Sequence, residues 1–177
     1  GVFRGGIVGT LMSNFGLEAA CRTHGIPFVR AAVGDRYVMS TLLEKGWDLG
    51  GETSGHIICL DKLTTGDGII AALQVLSAVV RTGRTLAELK AGMPVYPQRM
   101  INVRMTKRCD PNGSAPVRRA VEEVERELNG QGRVVLRLSG TEPVIRVMVE
   151  GADSGQVERL SQQLAEVVRQ AAEHAGA

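Results

Sequence analysis

Arg137-Leu138-Ser139-Gly140-Thr141-Glu142-Pro143-Val144-Ile145-Arg146 decides the fold of the second half of this 177-residue chain. Apolar residues fill much of Arg133 to Leu138 and of Val144 to Gly151, and both stretches read as strands. Between them, Ser139 to Pro143 carries a glycine and a proline, which interrupt a strand and turn the chain. Strands joined by so short a loop run antiparallel, because a parallel return needs a crossover of roughly a dozen residues or more. Upstream, Val117, Val121, Val124 and Leu128 line one face of a charged helix, Val117 to Leu128. Asp110 to Ser114 reads as a turn or loop, and Arg99 to Met105 alternates as another strand. Downstream, a final helix covers about Gln156 to Ala172. The order β-α-β-β-α predicts an α+β layer with a largely antiparallel sheet.

The first half has a different rhythm. Gly6 to Met12 reads as a buried strand, and Ser13 or Asn14 caps a helix from about Phe15 to His24 that Gly25 stops. Pro27 to Val33 is the next strand. A helix from about Arg36 to Lys45 follows, with Tyr37, Met39, Leu42 and Leu43 predicted on its inner side and Gly46 at its end. Ile57 to Leu60 is a further strand. Ile69, Ile70, Leu73, Leu76, Val79 and Val80 then fit the i, i+3, i+4, i+7 template of a helix ending near Gly83, and a short helix spans Leu86 to Lys90. Strands alternating with helices in this way predict a parallel-type α/β layer. Gly92-Met93-Pro94-Val95-Tyr96-Pro97 breaks helix and sheet alike, so the expected division is an α/β domain at 1–92 and an α+β domain at 93–177.

Composition narrows the function classes. Lys and Arg number 21 against 19 Asp and Glu, a net charge of +2, which argues against a global nucleic-acid or membrane field. Aromatics make up only 3%, too few for base-stacking platforms, so nucleic acid is not an expected partner. No apolar run reaches the roughly 20 residues of a membrane span, and no charged n-region with an apolar h-region opens the chain. Cys21, Cys59 and Cys109 are widely spaced and odd in number, as for incidental thiols in a reducing cytoplasm. His24, His56 and His174 are too scattered for a zinc site, and no metal ligands are assigned. The start, Gly1-Val2-Phe3-Arg4, lacks an initiator Met and runs at once into an apolar segment, as expected of a fragment.

Four segments could carry chemistry. The Arg137 to Arg146 stretch is an anion receptor in outline: Ser139, Gly140 and Thr141 can turn backbone N–H groups inward, and Arg137 and Arg146 can place planar forks on phosphate oxygens. The same residues also suit an ordinary hairpin with two solvated arginines. Gly51-Glu52-Thr53-Ser54-Gly55-His56 spaces a carboxylate, a hydroxyl and an imidazole at i, i+2 and i+4, on one face of an extended loop. That set suits sugar recognition: Glu52 accepts from hydroxyls, Ser54 donates and accepts, and His56 can exchange protons near neutral pH. A polar turn is the plainer alternative. In Thr64-Thr65-Gly66-Asp67-Gly68, a helix cap by Thr65 or Asp67 is favoured over an anion or metal site, and Val33-Gly34-Asp35-Arg36 offers a cap beside an arginine that could reach a cleft.

These stretches, together with Gly9-Thr10-Leu11-Met12-Ser13-Asn14 and taken in this order, resemble the α-D-phosphohexomutase superfamily. The E-x-S-G-H and S-G-T-E-P loops are highly specific to it, and T-T-G-D-G with V-G-D-R-Y resembles its bacterial glucosamine branch more than its phosphomannomutase/phosphoglucomutase branch. The resemblance covers nearly the whole chain but only the third and fourth domains of the family architecture. It implies an α/β domain followed by an α+β domain with a four-stranded sheet. It implies an isomerase that interconverts glucosamine 6-phosphate and glucosamine 1-phosphate through a phosphoserine and a bisphosphorylated sugar, feeding cell-wall precursors in the cytoplasm. Carried over residue by residue, Arg137, Ser139, Gly140 and Thr141 hold phosphate with Arg146 flanking. Glu52, Ser54, His56 and Arg36 face the sugar, and His56 is the candidate proton-transfer group. The partners implied are the phosphosugar and the missing N-terminal half of the same polypeptide, with a homodimer left open. The family's S-A-S-H-N-P phosphoserine loop and its D-G-D-G-D-R magnesium loop are both absent from this sequence. Mg²⁺ is therefore expected only in the longer parent, and this chain alone is expected to be inactive. Two alternatives stay open: a phosphomannomutase/phosphoglucomutase parent, and a non-catalytic sugar-phosphate-binding module.

Overall fold

A computed structural model describes residues 5–105, 110–140 and 142–174. The chain divides into two compact units, 1–95 and 96–177. In the first, the order is β1 (Ile7–Thr10), α1 (Phe15–Thr23), β2 (Phe28–Ala31), α2 (Asp35–Lys45), β3 (Leu49–Gly51), β4 (Ile57–Cys59), α3 (Gly68–Thr82) and α4 (Leu86–Lys90). The strands lie in the order β2-β1-β3-β4. β1 pairs in parallel with β2 and β3, whereas β4 pairs antiparallel with β3. The sheet is therefore mixed rather than purely parallel, because β3 and β4 form a hairpin that needs no crossover.

Local chemistry sets the helix ends. The Asn14 side chain accepts from Gly16 N, and Asp67 accepts from Ile69 N and Ile70 N. Thr85 and Glu88 form a reciprocal capping box on α4. Gly46 and Gly83 close α2 and α3 in the left-handed conformation. The core of this unit is small: Val8, Ala31, Val38, Leu42 and Ile58, with Val29, Met39, Trp47 and Leu60 packed around it. Glycine at position 50 lets α2 close on the sheet, since a Cβ there would sit 2.6 Å from Val38 Cγ1 and 2.9 Å from the Val8 carbonyl.

One expectation about an inward face is corrected here. Val38 and Leu42 form the inner side of α2, whereas Tyr37 and Leu43 are exposed. On α3, the expected helix, the buried residue is Ala71, and most of the residues that fit its periodic template lie outside: Ile69 is 74% exposed, Leu73 53%, Leu76 57% and Val80 80%.

The second unit contains β5 (Gln98–Arg104), a single 3-10 turn (Pro111–Gly113), α5 (Ala115–Leu128), β6 (Gly132–Leu138), β7 (Val144–Gly151) and α6 (Ser154–His174). Its strands lie in the order β5-β7-β6, both pairs antiparallel. The expected antiparallel character is present, but the sheet has three strands among the described residues rather than four. Alternation puts Val103, Ile145, Val147 and Val149 on one face, where Val117, Val124, Leu128, Leu160, Leu164 and Val168 of α5 and α6 meet them. Each such side chain, fully buried, contributes about 1.5–3 kcal/mol. The other face of the sheet carries Asn102, Arg133, Arg137, Arg146 and Glu150. No helix among the described residues is long and apolar enough to cross a membrane.

Candidate functional site

The polar face of the second sheet holds two cross-strand pairs of opposite character. In the first, Arg133 stands opposite Glu150, and Arg133 Nε donates to Glu150 Oε1 at 2.5 Å. The Glu150 side chain is fully buried and that of Arg133 is 14% exposed. This pair matches charge with charge. In the second, four residues further along β6 and beyond the Val135–Met148 pair, Arg137 stands opposite Arg146. Like charges directly opposite in a ladder cost stability instead of adding to it. Arg137 Nε is buried and has no hydrogen-bond partner among the described residues. Burial, and then the charge of Arg146, push the Arg137 guanidinium below its usual value. Asn102 on β5 pairs with Arg146 and so completes a row of three polar side chains across the sheet.

The loop above this row is closed by its own backbone. Ser139 N donates to Val144 O at 2.9 Å, and Val144 N to Glu142 O at 2.8 Å. Ser139 is 2% exposed, and its Oγ accepts from Glu142 N at 3.3 Å and from Arg146 Nη2 at 3.5 Å. Arg146 also lies 3.8 Å from Glu142 Oε2, a long and partly exposed contact. Gly140 is exposed, a Cβ there would meet nothing within 4 Å, and its φ is not in the left-handed region. The chain's own packing therefore does not require glycine at 140. Thr141, expected among the phosphate contacts, lies outside the described residues, as does Cys109. Chemically the arrangement concentrates positive charge and N–H donors at the end of two strands, which suits an anion.

In the first unit, residues 52–56 form the tip of the β3–β4 hairpin rather than an extended loop. Glu52 N donates to His56 O at 2.9 Å and Gly55 N to Glu52 O at 3.1 Å, with Gly55 at φ 95°. The turn separates the three expected side chains. Ser54 Oγ and His56 Nδ1 are joined at 2.9 Å, both exposed. Glu52 turns the other way and accepts from Gly34 N at 2.8 Å through Oε1. That bond ties the hairpin to the Val33-Gly34-Asp35-Arg36 turn, where Gly34 sits at φ 130°, a conformation that favours glycine. Arg36 is exposed, its guanidinium 4.5 Å from the Tyr37 ring centre and its Nη2 2.5 Å from the Tyr37 hydroxyl. The structure thus brings Glu52 to the Arg36 turn and Ser54 to His56.

Several parts of these sites were not visible in the sequence reading. Asn102 joins the arginine row only through strand register, and the Gly34 amide reaches Glu52 across 18 residues. Thr10 and Ser13 are structural: Ser13 Oγ accepts from Thr10 N at 2.9 Å, and Arg30 Nη1 donates to the carbonyls of Thr10 and Ser13 at 2.9 and 2.6 Å. A magnesium site does not fit the residues present. Asp67 spends its carboxylate on Ile69 N and Ile70 N, and no cluster of three or more His, Cys, Asp or Glu occurs among the described residues.

Residues 2–96 match the family described as phosphoglucomutase/phosphomannomutase, alpha/beta/alpha domain III, and residues 100–167 match its C-terminal domain. Over 171 residues the chain is 60% identical to a phosphoglucosamine mutase of Methylococcus capsulatus, covering 97% of this chain and 38% of that protein. It is 59% identical to one of Proteus mirabilis, covering 96% of this chain and again 38% of the relative. An N-acetylphosphoglucosamine mutase of Aspergillus fumigatus shares the fold at a TM-score of 0.80 and 21% identity, over 96% of this chain and 39% of that one. The chain therefore spans less than two-fifths of the length of these relatives. Matched along nearly all of its residues, the chain belongs to the phosphoglucomutase/phosphomannomutase family of phosphohexomutases, of which it carries domain III and the C-terminal domain.

Proposed function

We propose that this chain is the C-terminal part of a cytoplasmic phosphoglucosamine mutase, an isomerase interconverting glucosamine 6-phosphate and glucosamine 1-phosphate on the way to cell-wall precursors. Residues 93–177 hold the phosphate that is not reacting, and residues 1–92 recognise the sugar. The observation that carries this reading is the Arg137–Arg146 pair: two like charges in register, one with a buried Nε lacking a partner. A ladder that sets Glu150 against Arg133 but leaves Arg137 opposite an arginine is suited to an anion brought from outside. A phosphate there accepts from both guanidinium groups and from the exposed Gly140 N–H, with Thr141 assigned as a further contact. Charge-assisted bonds of this kind contribute roughly 1.5–3 kcal/mol each.

The sugar end rests on Glu52, Ser54, His56 and Arg36. Held by the Gly34 amide, Glu52 keeps Oε2 available to accept from a sugar hydroxyl. The Ser54–His56 bond occupies Nδ1 and leaves Nε2 as the ring atom that can take or give a proton. Phosphoryl transfer itself requires a serine nucleophile and a metal site, and this sequence contains neither of the family's loops for them. The chain by itself binds without turning over.

Calorimetric titration of glucosamine 6-phosphate into the chain and into its Arg137→Ala variant tests the reading. Binding that weakens at least tenfold in the variant supports it, and no binding at millimolar ligand sinks it. The family's two matched domains bear the phosphoglucomutase/phosphomannomutase description, so the sugar needs its own test. A full-length parent that turns over mannose 6-phosphate faster than glucosamine 6-phosphate overturns the glucosamine assignment.

A further inference from the structure

The first turn of α2 places a cation where a helix gains nothing from one. Arg36 lies beside the N-terminus, the positive end of the helix dipole, which favours carboxylates over guanidinium groups. Asp35 answers the dipole and accepts from Arg36 N at 2.7 Å. The Arg36 side chain goes elsewhere. It folds over its neighbour, with the guanidinium 4.5 Å from the centre of the Tyr37 ring and Nη2 donating to the Tyr37 hydroxyl at 2.5 Å. Consecutive helix residues point about 100° apart, so this contact needs Arg36 to bend back across the turn. Both side chains are exposed, and fixing a long one at the surface costs rotamer entropy. A stack at an exposed site returns only about a two- to fivefold gain, so the contact does little for the stability of the unit.

The same ring adjoins the group that holds Glu52. A Cβ at Gly34 would lie 3.2 Å from Tyr37 Cδ2, which puts the ring close against that glycine. Gly34 O accepts from Tyr37 N at 2.9 Å, and Gly34 N donates to Glu52 Oε1 at 2.8 Å. We infer that Tyr37 is a positioning residue for sugar-phosphate recognition. Its ring and hydroxyl fix the Arg36 guanidinium beside the Gly34 amide that fixes Glu52, so a donor and an acceptor for sugar oxygens are set before the ligand arrives. This rests on the assignment of Arg36 and Glu52 to the sugar. The Tyr37 hydroxyl takes one of the five guanidinium N–H groups and leaves the others to a ligand. Fixed in advance, Arg36 loses less freedom on binding, which is how a residue that touches no ligand raises affinity.

The test compares Tyr37→Leu, which removes ring and hydroxyl, with Tyr37→Phe, which keeps the stack. Tyr37→Leu is expected to weaken glucosamine 6-phosphate binding to this chain at least fivefold by calorimetry. Inorganic phosphate affinity should stay unchanged and Tm should hold within about 3 °C. Tyr37→Phe is expected to lose no more than about threefold. In an Arg36→Met background Tyr37→Leu should add no further loss, because the residue it positions is gone. ¹⁵N relaxation at Arg36 Nε–H, without ligand, should report an ordered side chain in the wild type and in Tyr37→Phe, and a mobile one in Tyr37→Leu. An equal loss of affinity in Phe and Leu variants overturns the inference in favour of direct hydroxyl contact with the sugar. Unchanged affinity in Tyr37→Leu, or a mobile Arg36 in the wild type, overturns it outright. If the wild-type chain binds no glucosamine 6-phosphate at millimolar ligand, the sugar assignment falls and this inference falls with it.

Discussion

Replacing Arg137 with Met should make the second unit more stable and a worse binder at once. Methionine keeps an unbranched stem of similar reach and removes the charge. The wild-type ladder sets Arg137 opposite Arg146, and like charges so placed cost roughly 0.2–1 kcal/mol. The buried Nε without a partner adds on the order of 1 kcal/mol. Relief of both amounts to about 1–2 kcal/mol, and each kcal/mol raises Tm by about 4–8 °C in a domain of 60–100 residues. Scanning calorimetry should therefore show the transition of residues 96–177 moving up. Titration with inorganic phosphate should show affinity falling about ten- to hundredfold, the loss of one charge-assisted bond. Arg133→Met is the control in the same ladder. It strands Glu150, which is fully buried, and should lower stability by about 3 kcal/mol or more. If Arg137→Met destabilises the unit by more than about 1 kcal/mol and phosphate affinity is unchanged, Arg137 is structural and the reasoning fails.

Other substitutions separate structure from ligand contact. Gly140→Ala meets no neighbour, so Tm should hold while phosphate binding weakens; a drop of several degrees with unchanged binding would place the glycine's role in the fold. Glu52→Ala leaves the Gly34 N–H without its acceptor and should cost about 1 kcal/mol in a denaturant titration. Glu52→Gln keeps an acceptor and should retain stability but lose sugar-phosphate affinity, and equal stability loss in both variants contradicts that split. Glu150→Ala should destabilise by about 3 kcal/mol, read as an earlier urea midpoint at unchanged slope. Burial, and then the charge of Glu18, raise the pKa of the Cys21 thiol and keep it protonated, so iodoacetamide at pH 8 should leave Cys21 unlabelled by peptide mapping.

Much of the fold was legible because strand and helix periods are local. The strand-loop-strand around Ser139 to Pro143 follows from two largely apolar stretches and the two breakers between them, and the structure places β6 and β7 within a residue or so of that expectation. β3 escaped notice because two of its three residues are glycines, which have poor strand propensity; it exists because pairing with β1 and β4 supplies what propensity does not. On α2 the apolar Tyr37 and Leu43 fell outside while Val38 and Leu42 met the sheet, a rotation that periodicity alone does not fix. α3 defeated the same reasoning for a different cause. Its apolar residues are spread around most of the helix, so its period has no unique inner face. At the candidate site the residue types and spacing of the loops were readable. The contacts were not, because the Arg137–Arg146 opposition depends on register and the Glu52–Gly34 bond on tertiary closure.

The central claim is that Arg137 and Arg146 form an anion site in place before a ligand arrives. Side-chain Nε–H and backbone resonances followed by NMR during titration with inorganic phosphate and with glucosamine 6-phosphate test it most directly. The account predicts saturable shifts at Arg137 Nε–H, Arg146 Nε–H and the Gly140 amide with either ligand, and none at Arg133. Shifts absent at all three up to tens of millimolar ligand, a binding free energy weaker than about −2 kcal/mol, or shifts that persist unchanged in Arg137→Met, would contradict it.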